Sequence, residues 1–470
     1  MISRHLLALL ISQLAVCLLC PALTAARQPN VILILADDLG YQDLGCYGHP
    51  SIRTPVLDRL AGEGVRLTDF HSGASVCTPS RMALLTGAYP TRVGWTRGVC
   101  GHLMGEHDGM STEALTIAEI FKSEGYATAI SGKWHVGDQP DTRPNAQGFD
   151  STYYLSHSNN QTQKIWRAND VVENPFDNRK LTEQFTTESI RFIRENKDKP
   201  FFLYLPYTAP HFPVEPHPDW KGRSKFGDYG DVVEEMDSRI GELLATLKEL
   251  AIDKNTIVIF TSDNGPNPKE PSSPLPFRGE KWSALEGGTR VPCIVAWPGV
   301  IPAGYVNNNL ISAMDLLPSL CRASNIDWKA KSHGKPKIDG IDVWDTLIGK
   351  TNKSPRSELL YWHGTSPEPQ AFRSGDSKLF FDRGPALKGQ GTDRATPAQA
   401  AKITPIRAKL KPGANPPILF NLREDPGETI DQSELFPDNL KALHARAKTL
   451  IAELQADPIL PLATPPKPGR

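Results

Sequence analysis

The sequence predicts an α/β protein with a mixed, mostly parallel central sheet flanked by helices, followed by a small α+β C-terminal subdomain that contains a short antiparallel sheet. Three observations carry that expectation. Residues 31–35 and 257–261 are apolar at nearly every position, as in strands buried on both faces. Between them, segments with one apolar stripe alternate with further short apolar runs, the rhythm of crossover connections between parallel strands. Beyond about residue 365 the rhythm changes: 372–381 and 418–422 alternate as half-exposed antiparallel strands.

At 470 residues and 39% hydrophobic content the chain can bury a large core and is neither fibrous nor disordered. Residues 1–26 carry Arg4 and His5, an apolar run over 6–19, and small residues ending in Ala25 and Ala26. That is the pattern of a cleaved secretory leader, too short to span a bilayer comfortably. Export is therefore expected, to a periplasmic, secreted or lysosome-like location according to the host, with a main domain over 27–365 and the subdomain over 366–470. Removing Arg4 from 52 basic residues leaves 51 against 53 acidic. Such balance argues against nucleic acid or an anionic membrane surface as the main partner. Of seven cysteines, Cys17 and Cys20 lie in the leader, leaving Cys46, Cys77, Cys100, Cys293 and Cys321. An odd number in an oxidising compartment means one is free or chemically altered, and spacing does not say which others pair.

The first buried run ends in Asp37 and Asp38. Ligands gather at the carboxyl ends of strands in open α/β sheets, although adjacent aspartates also serve as helix caps or solvated turns. Residues 76–87, VCTPSRMALLTG, pass from loop to helix: Thr78 suits the cap, and Pro79 the first turn, where its missing N–H costs nothing. Cys77 then sits at the helix mouth, where free N–H groups attract an anion, and Arg81 aims a planar donor fork at the same space. Taken as an isolated cysteine, Cys77 also reads as an ordinary buried thiol or half of a disulfide. A helix over 113–124, ended by Gly125, leads to a strand over 127–131 that delivers GKWHVG. In extended chain Lys133 and His135 point the same way. Residues 159–180 are polar and irregular, a substrate-facing loop or an exposed linker.

A strand over 201–205 leads into YTAPHFPVEPH, which brings His211 to the same end of the sheet, with His217 a loop residue. The helix over 231–250 sets Val233, Met236, Ile240, Leu243 and Leu247 on one stripe that covers the sheet. The second buried run ends in Asp263 and Asn264. Asp-Asn-Gly alone is a common turn; together with Asp37 and Asp38 it makes three carboxylates and an amide oxygen, which suit a hard cation of the calcium kind rather than zinc. A proline-rich stretch over 265–276 precedes FRGEKWSALEGG, with Lys281 six residues before Gly287. Strands over 293–297 and 310–313, a short helix over 314–320, a long loop over 385–417 and a final helix over 434–455 complete the chain.

C-x-P-S-R followed by L-T-G, here Cys77, Pro79, Ser80 and Arg81 with Leu85, Thr86 and Gly87, resembles the signature of the type I sulfatases, which have the alkaline-phosphatase-like fold. GKWHVG, the early Asp-Asp and the late Asp-Asn are similar to further family patterns, so the likeness covers nearly the whole chain after the leader. The resemblance implies that a maturing enzyme converts Cys77 to Cα-formylglycine, and that calcium is held by Asp37, Asp38, Asp263, Asn264 and the residue-77 diol. It further implies that Arg81, Lys133 and Lys281 neutralise the sulfate, with Lys133 bridging sulfate and formylglycine. His135 would hold the diol and Ser158 line the sulfate pocket; His211, with Lys281, would protonate the leaving group. One geminal hydroxyl attacks sulfur and the other expels sulfate by reforming the carbonyl, where a serine would be left sulfated. The implied activity is sulfate ester hydrolysis on a sulfated small molecule or glycan, with carbohydrate favoured by export and the polar loops. Two alternatives stand beside it: a phosphate or phosphonate ester hydrolase of the same fold, disfavoured by the oxygen-only metal set, and an inactive sulfated-glycan binder whose Cys77 is never converted.

Overall fold

All seven residues of the strand Asn30–Ala36 are buried, and the period of two explains how one strand serves two cores. Val31, Leu33 and Leu35 face one apolar cluster, while Ile32, Ile34 and Ala36 face the other. The computed structural model describes residues 28–332, 337–382, 417–457 and 459–464. The expected leader over 1–26 and nearly all of the loop over 385–417 lie outside the described residues.

In chain order the strands are β1 (Asn30–Ala36), β2 (Val65–Leu67), β3 (Phe70–His71), β4 (Ala127–Lys133), β5 (Ser151–Leu155), β6 (Ile165–Arg167), β7 (Asp170–Glu173), β8 (Phe201–Pro206), β9 (Thr256–Ser262), β10 (Cys293–Ala296), β11 (Tyr305–Asn307) and β12 (Ile311–Ser312), then β13 (Glu358–Tyr361), β14 (Ala371–Ser374), β15 (Ser377–Phe380) and β16 (Ile418–Asn421). The main sheet runs β11-β2-β10-β9-β1-β8-β4-β5-β6-β7. From β9 to β5 it is parallel, with β10, β6 and β7 antiparallel to their neighbours. Because β1 lies between β8 and β9, the strand order reverses there, which is where open α/β sheets leave a crevice. Register sets Ala36 beside Ser262 and Leu35 beside Pro206. The residues that follow all three strands therefore emerge together: Asp37 and Asp38, Asp263 and Asn264, and the segment leading to His211.

The helix Cys77–Thr86 is buried at every position within the first core. Helices Leu181–Asn196 and Gly227–Glu249 cover the opposite face through Phe185, Phe192, Met236 and Ile240. The helix expected over 113–124 is shorter, Ile117–Ser123, because Thr116 and Glu119 form a capping box at its start. Residues 159–180 are not irregular throughout: β6 and β7 pair antiparallel at the sheet edge. The exposed face of an edge ribbon needs no apolar period, so its polar sequence hid it.

The segment over 372–381 is a hairpin, β14 and β15, within the antiparallel order β13-β14-β15-β16, and it is mostly buried rather than half-exposed. The first of these strands, Glu358–Tyr361, precedes residue 366. Arg373 and Lys378 lie directly opposite each other across the hairpin and are both buried. Like charges so placed repel, and acids of the seam offset them. Asp69 accepts from Arg373 at 2.6 and 2.8 Å, and Glu286 and Glu428 flank the Lys378 ammonium at 2.9 and 3.0 Å. Arg290 and His71 also contact Asp69, at 3.4 and 3.0 Å. Among the described residues no helix is long and apolar enough to cross a membrane.

Candidate active site

Cys77 is the first residue of its helix, and the N-cap is Val76, in extended conformation and without a side-chain cap bond. The expected cap, Thr78, lies inside the helix. Its hydroxyl donates to the His135 carbonyl at 2.8 Å and accepts the Cys100 amide at 3.1 Å, so tertiary partners have taken the group a local cap would use. On the other side, the loop bearing Asp263 and Asn264 is set by Gly265, whose amide donates to the Gly288 carbonyl at 2.9 Å. A Cβ at Gly265 would fall on the Gly287 carbonyl, and Cβ atoms at Gly287 and Gly288 would fall on the Gly279 and Ser283 carbonyls, so these three positions take glycine.

Six charged side chains, all buried, meet at these strand tips. Lys133 Nζ donates to Asp37 at 2.6 Å, and Lys281 Nζ to Asp38 at 2.8 Å and to Cys77 Sγ at 3.2 Å. Cys77 Sγ lies 3.4 Å from Asp37 Oδ1 and 3.9 Å from Asp38 Oδ1. Arg81 donates through Nε to Asp263 Oδ2 at 3.0 Å, with Nη2 2.8 Å from the same oxygen, and through Nη1 to the Lys133 carbonyl at 2.8 Å. Ligand atoms of Asp37, Asp38, Cys77 and His211 fall within 4.8 Å of one another. Asp263 stands outside that tight group because Arg81 holds one of its oxygens and the Asp38 amide, at 3.2 Å, the other. Asn264 Nδ2 donates to Asp38 at 2.7 Å, which leaves Asn264 Oδ1 buried with no donor. Buried acceptors almost always find a partner, so a leftover oxygen among carboxylates fits an oxygen-seeking cation.

Burial pushes every carboxyl here upward, and the neighbours decide the outcome. At Asp37 the charges of Lys133, His211 and Arg81 outweigh burial and hold the group well below its ordinary range. Asp38 is lowered too, chiefly by Lys281. Asp263 is driven up to about 6, because burial and the charge of Asp37 outweigh Arg81. Burial also raises the Cys77 thiol, so an unmodified cysteine is a poor nucleophile near neutral pH. His211 is pushed down to about 4 by burial, partly opposed by Asp37.

His211 reaches this cluster through Nε2, 3.6 Å from Asp38, while Nδ1 is 2.6 Å from the Phe212 carbonyl and 3.4 Å from Ser158 Oγ. Ser158 thus meets His211 and Asn159 rather than Cys77. The extended Lys133/His135 pair does not form: β4 ends at Lys133, and His135 takes a left-handed φ of 62°. His135 instead turns Nε2 to the Cys100 carbonyl at 3.1 Å and leaves Nδ1 buried without a partner. Asn267 is a contact that sequence reasoning missed; its Nδ2 donates to Asp38 at 3.3 Å from within GPNPKEP, where no local pattern marks it. The five cysteines Cys46, Cys77, Cys100, Cys293 and Cys321 are all unpaired thiols here.

A family model described as Sulfatase matches residues 29–326. Arylsulfatase A of Homo sapiens is 35% identical over 449 residues, which cover 88% of this chain and 85% of the relative. N-acetylgalactosamine-6-sulfatase of Rattus norvegicus is 36% identical over 445 residues, covering 86% and 81%. Among solved structures, Ps i-CgsB in complex with k-i-k-neocarrahexaose superposes with a TM-score of 0.73 at 27% identity, covering 90% of this chain and 93% of that one. The family match spans every residue of the cluster from Asp37 to Lys281, and the chain belongs to the sulfatase family, enzymes that hydrolyse sulfuric esters.

Proposed function

We propose that this sulfatase desulfates carbohydrates, with residue 77 as Cα-formylglycine and a calcium ion held by Asp37, Asp38, Asp263 and Asn264. The observation that carries the carbohydrate reading is a cleft of about 600 Å³ whose lining is mostly polar, Asn159, Gln163, Asp177, Asn178, Arg179 and Glu215 beside Pro175, Phe176 and Pro213. A smaller pocket shares Asn159, Asn178 and Arg179 with it and reaches His211. Amides and charges of this kind pair with sugar hydroxyls, whereas a steroid or simple aryl group calls for an apolar slot. The names of the rat relative and of the hexasaccharide complex point the same way.

Calcium, when bound, polarises sulfate oxygens and adds two positive charges among carboxylates that Lys133 and Lys281 now contact. Arg81, Lys133 and Lys281 line the sulfate site with fixed positive charge, commonly the largest contribution to rate. The formyl hydrate supplies the oxygen nucleophile that a buried thiol is not. His135, whose Nδ1 has no hydrogen-bond partner among the described residues, holds residue 77, and Ser158 orders the His211 ring. His211 passes a proton to the leaving oxygen; an anionic ester beside it raises its proton affinity from the low value burial imposes. Cys77 is 1% exposed, so the maturing enzyme has to reach it before the chain folds, in an export route that removes the leader.

The deciding experiment joins the mass of the peptide carrying residue 77, in protein from its native host, to turnover of sulfated saccharides, simple alkyl and aryl sulfates, and matched phosphate esters. A formylglycine mass and saccharide desulfation are expected. A plain thiol with no turnover turns the reading to a binder, faster phosphate turnover to a phosphohydrolase, and activity confined to simple sulfates defeats the carbohydrate assignment.

A further inference from the structure

Trp282 directly follows Lys281 and holds a left-handed φ of 78°. A bulky side chain is strained there, and such strain persists only where the surroundings over-determine it. The Trp282 amide donates to the Ser75 carbonyl at 2.8 Å, and the indole packs on Val76, Cys77 and Val99. A Cβ at Gly364 would stand 2.5 Å from Trp282 Cε3 and 2.7 Å from Val76 Cγ1, so a glycine there makes room for the ring. On its other side the indole meets the exposed His102 ring edge-on, with centroids 5.8 Å apart at 81°. Leu103, next in that loop, is 44% exposed and itself left-handed, at 68°. Two strained bulky residues therefore share the rim beside residue 77.

A tryptophan placed only to support Cys77 would be sealed, with its N–H paired. Trp282 is only partly buried, and its indole N–H donates to no acceptor among the described residues. The part of the indole left exposed between these contacts, apolar with a donor at its edge, matches the C–H groups and a hydroxyl of a pyranose ring.

We infer that Trp282 is a specificity-determining residue whose indole is the platform for the pyranose ring bearing the sulfate ester, braced by His102. This rests on the carbohydrate reading above.

At a φ of 78° glycine removes the ring without adding strain, which makes Trp282→Gly the informative variant and Trp282→Phe its conservative partner. Both are compared with wild type, at equal residue-77 conversion, on glucosamine 2-N,6-O-disulfate, N-acetylgalactosamine 6-sulfate and neocarrahexaose. Methyl sulfate serves as the ring-free substrate and inorganic sulfate as the competitive inhibitor. The kcat/KM ratio of the accepted saccharide to methyl sulfate is expected to fall about tenfold in Trp282→Gly and to stay within about threefold in Trp282→Phe, with inhibition by inorganic sulfate retained. Should the glycine variant not fold, His102→Ala lowers the same ratio about threefold, a smaller effect from the bracing ring. An unchanged ratio overturns the platform, as does a loss of methyl sulfate turnover and sulfate inhibition in step with the saccharide. Wild type inactive on every saccharide overturns the carbohydrate reading and the platform with it.

Discussion

At the strand tips Asp37, Asp38 and Asp263 face Arg81, Lys133 and Lys281; at the seam between the two sheets Asp69, Glu286 and Glu428 face Arg290, Arg373 and Lys378. The inventories match, three buried acids against three bases, and the arrangements do not. At the seam Arg373 grips Asp69 through two short bonds, and Lys378 and His71 hold Glu286 down to about 2 against the effect of burial. At the tips two acids are neighbours in the chain, and a third is driven up to about 6. Asn264 Oδ1 and His135 Nδ1 are left over there. Asp69, His71 and Glu286 have metal-like spacing too, and internal cations sit on them as Lys133 and Lys281 sit on Asp37 and Asp38. Charge count therefore does not mark an active site. A thiol within 3.9 Å of two chain-adjacent acids, beside an amide oxygen that no donor among the described residues reaches, does.

The contrast can be broken most directly at residue 77. Cys77→Ala is expected to lower turnover by at least about 10³-fold while moving unfolding by only about 1 kcal/mol, since it removes a neutral thiol. Turnover assays beside thermal unfolding read both numbers. At the seam the weight reverses: Lys378→Met leaves Glu286 and Glu428 buried together and costs about 3–5 kcal/mol, read from urea unfolding. A seam variant as stable as wild type would remove the distinction.

Smaller effects sharpen it. His211→Asn should slow saccharide desulfation about 10²-fold and nitrophenyl sulfate much less, because a phenolate needs less help from a proton. Equal losses on both substrates would deny His211 that role. EDTA should abolish turnover and calcium restore it, with calcium at a hundred times its Kd adding about 2.7 kcal/mol of stability. Lys378→Met should keep that calcium shift and Asp37→Asn lose it; the opposite result would move the metal to the seam.

Acidity supplies the smallest test, with opposite signs in the two places. Glu286 has a folded value of about 2, below its ordinary 4.5, so its contribution is complete above 4.5 and lost as pH falls toward 2. Asp263 lies near 6, above its ordinary 3.8, so its contribution is present below 3.8 and lost as pH rises through 6. In EDTA, Glu286→Gln should flatten the acid side of the Tm profile, and Asp263→Asn should melt higher than wild type at neutral pH. Parallel profiles for both variants would contradict the assignment.

What the amino-acid order settled unaided is what depends on a short window. Two continuous apolar runs, one ending in Asp37 and Asp38 and the other in Asp263 and Asn264, marked β1 and β9 and the cluster at their tips, and an apolar stripe marked the helix Gly227–Glu249. Short patterns also singled out Cys77, Arg81, Lys133 and Lys281, which meet in space across 204 residues. Tertiary structure alone decided that His135 leaves the strand, that Thr78 joins two loops instead of capping, that Asn267 meets Asp38, and that Arg373 answers Asp69 from 304 residues away. The reason is one of range. Periodicity and turn chemistry act over a few residues, whereas register across β8, β1 and β9 and the docking of a second sheet select partners that no window contains.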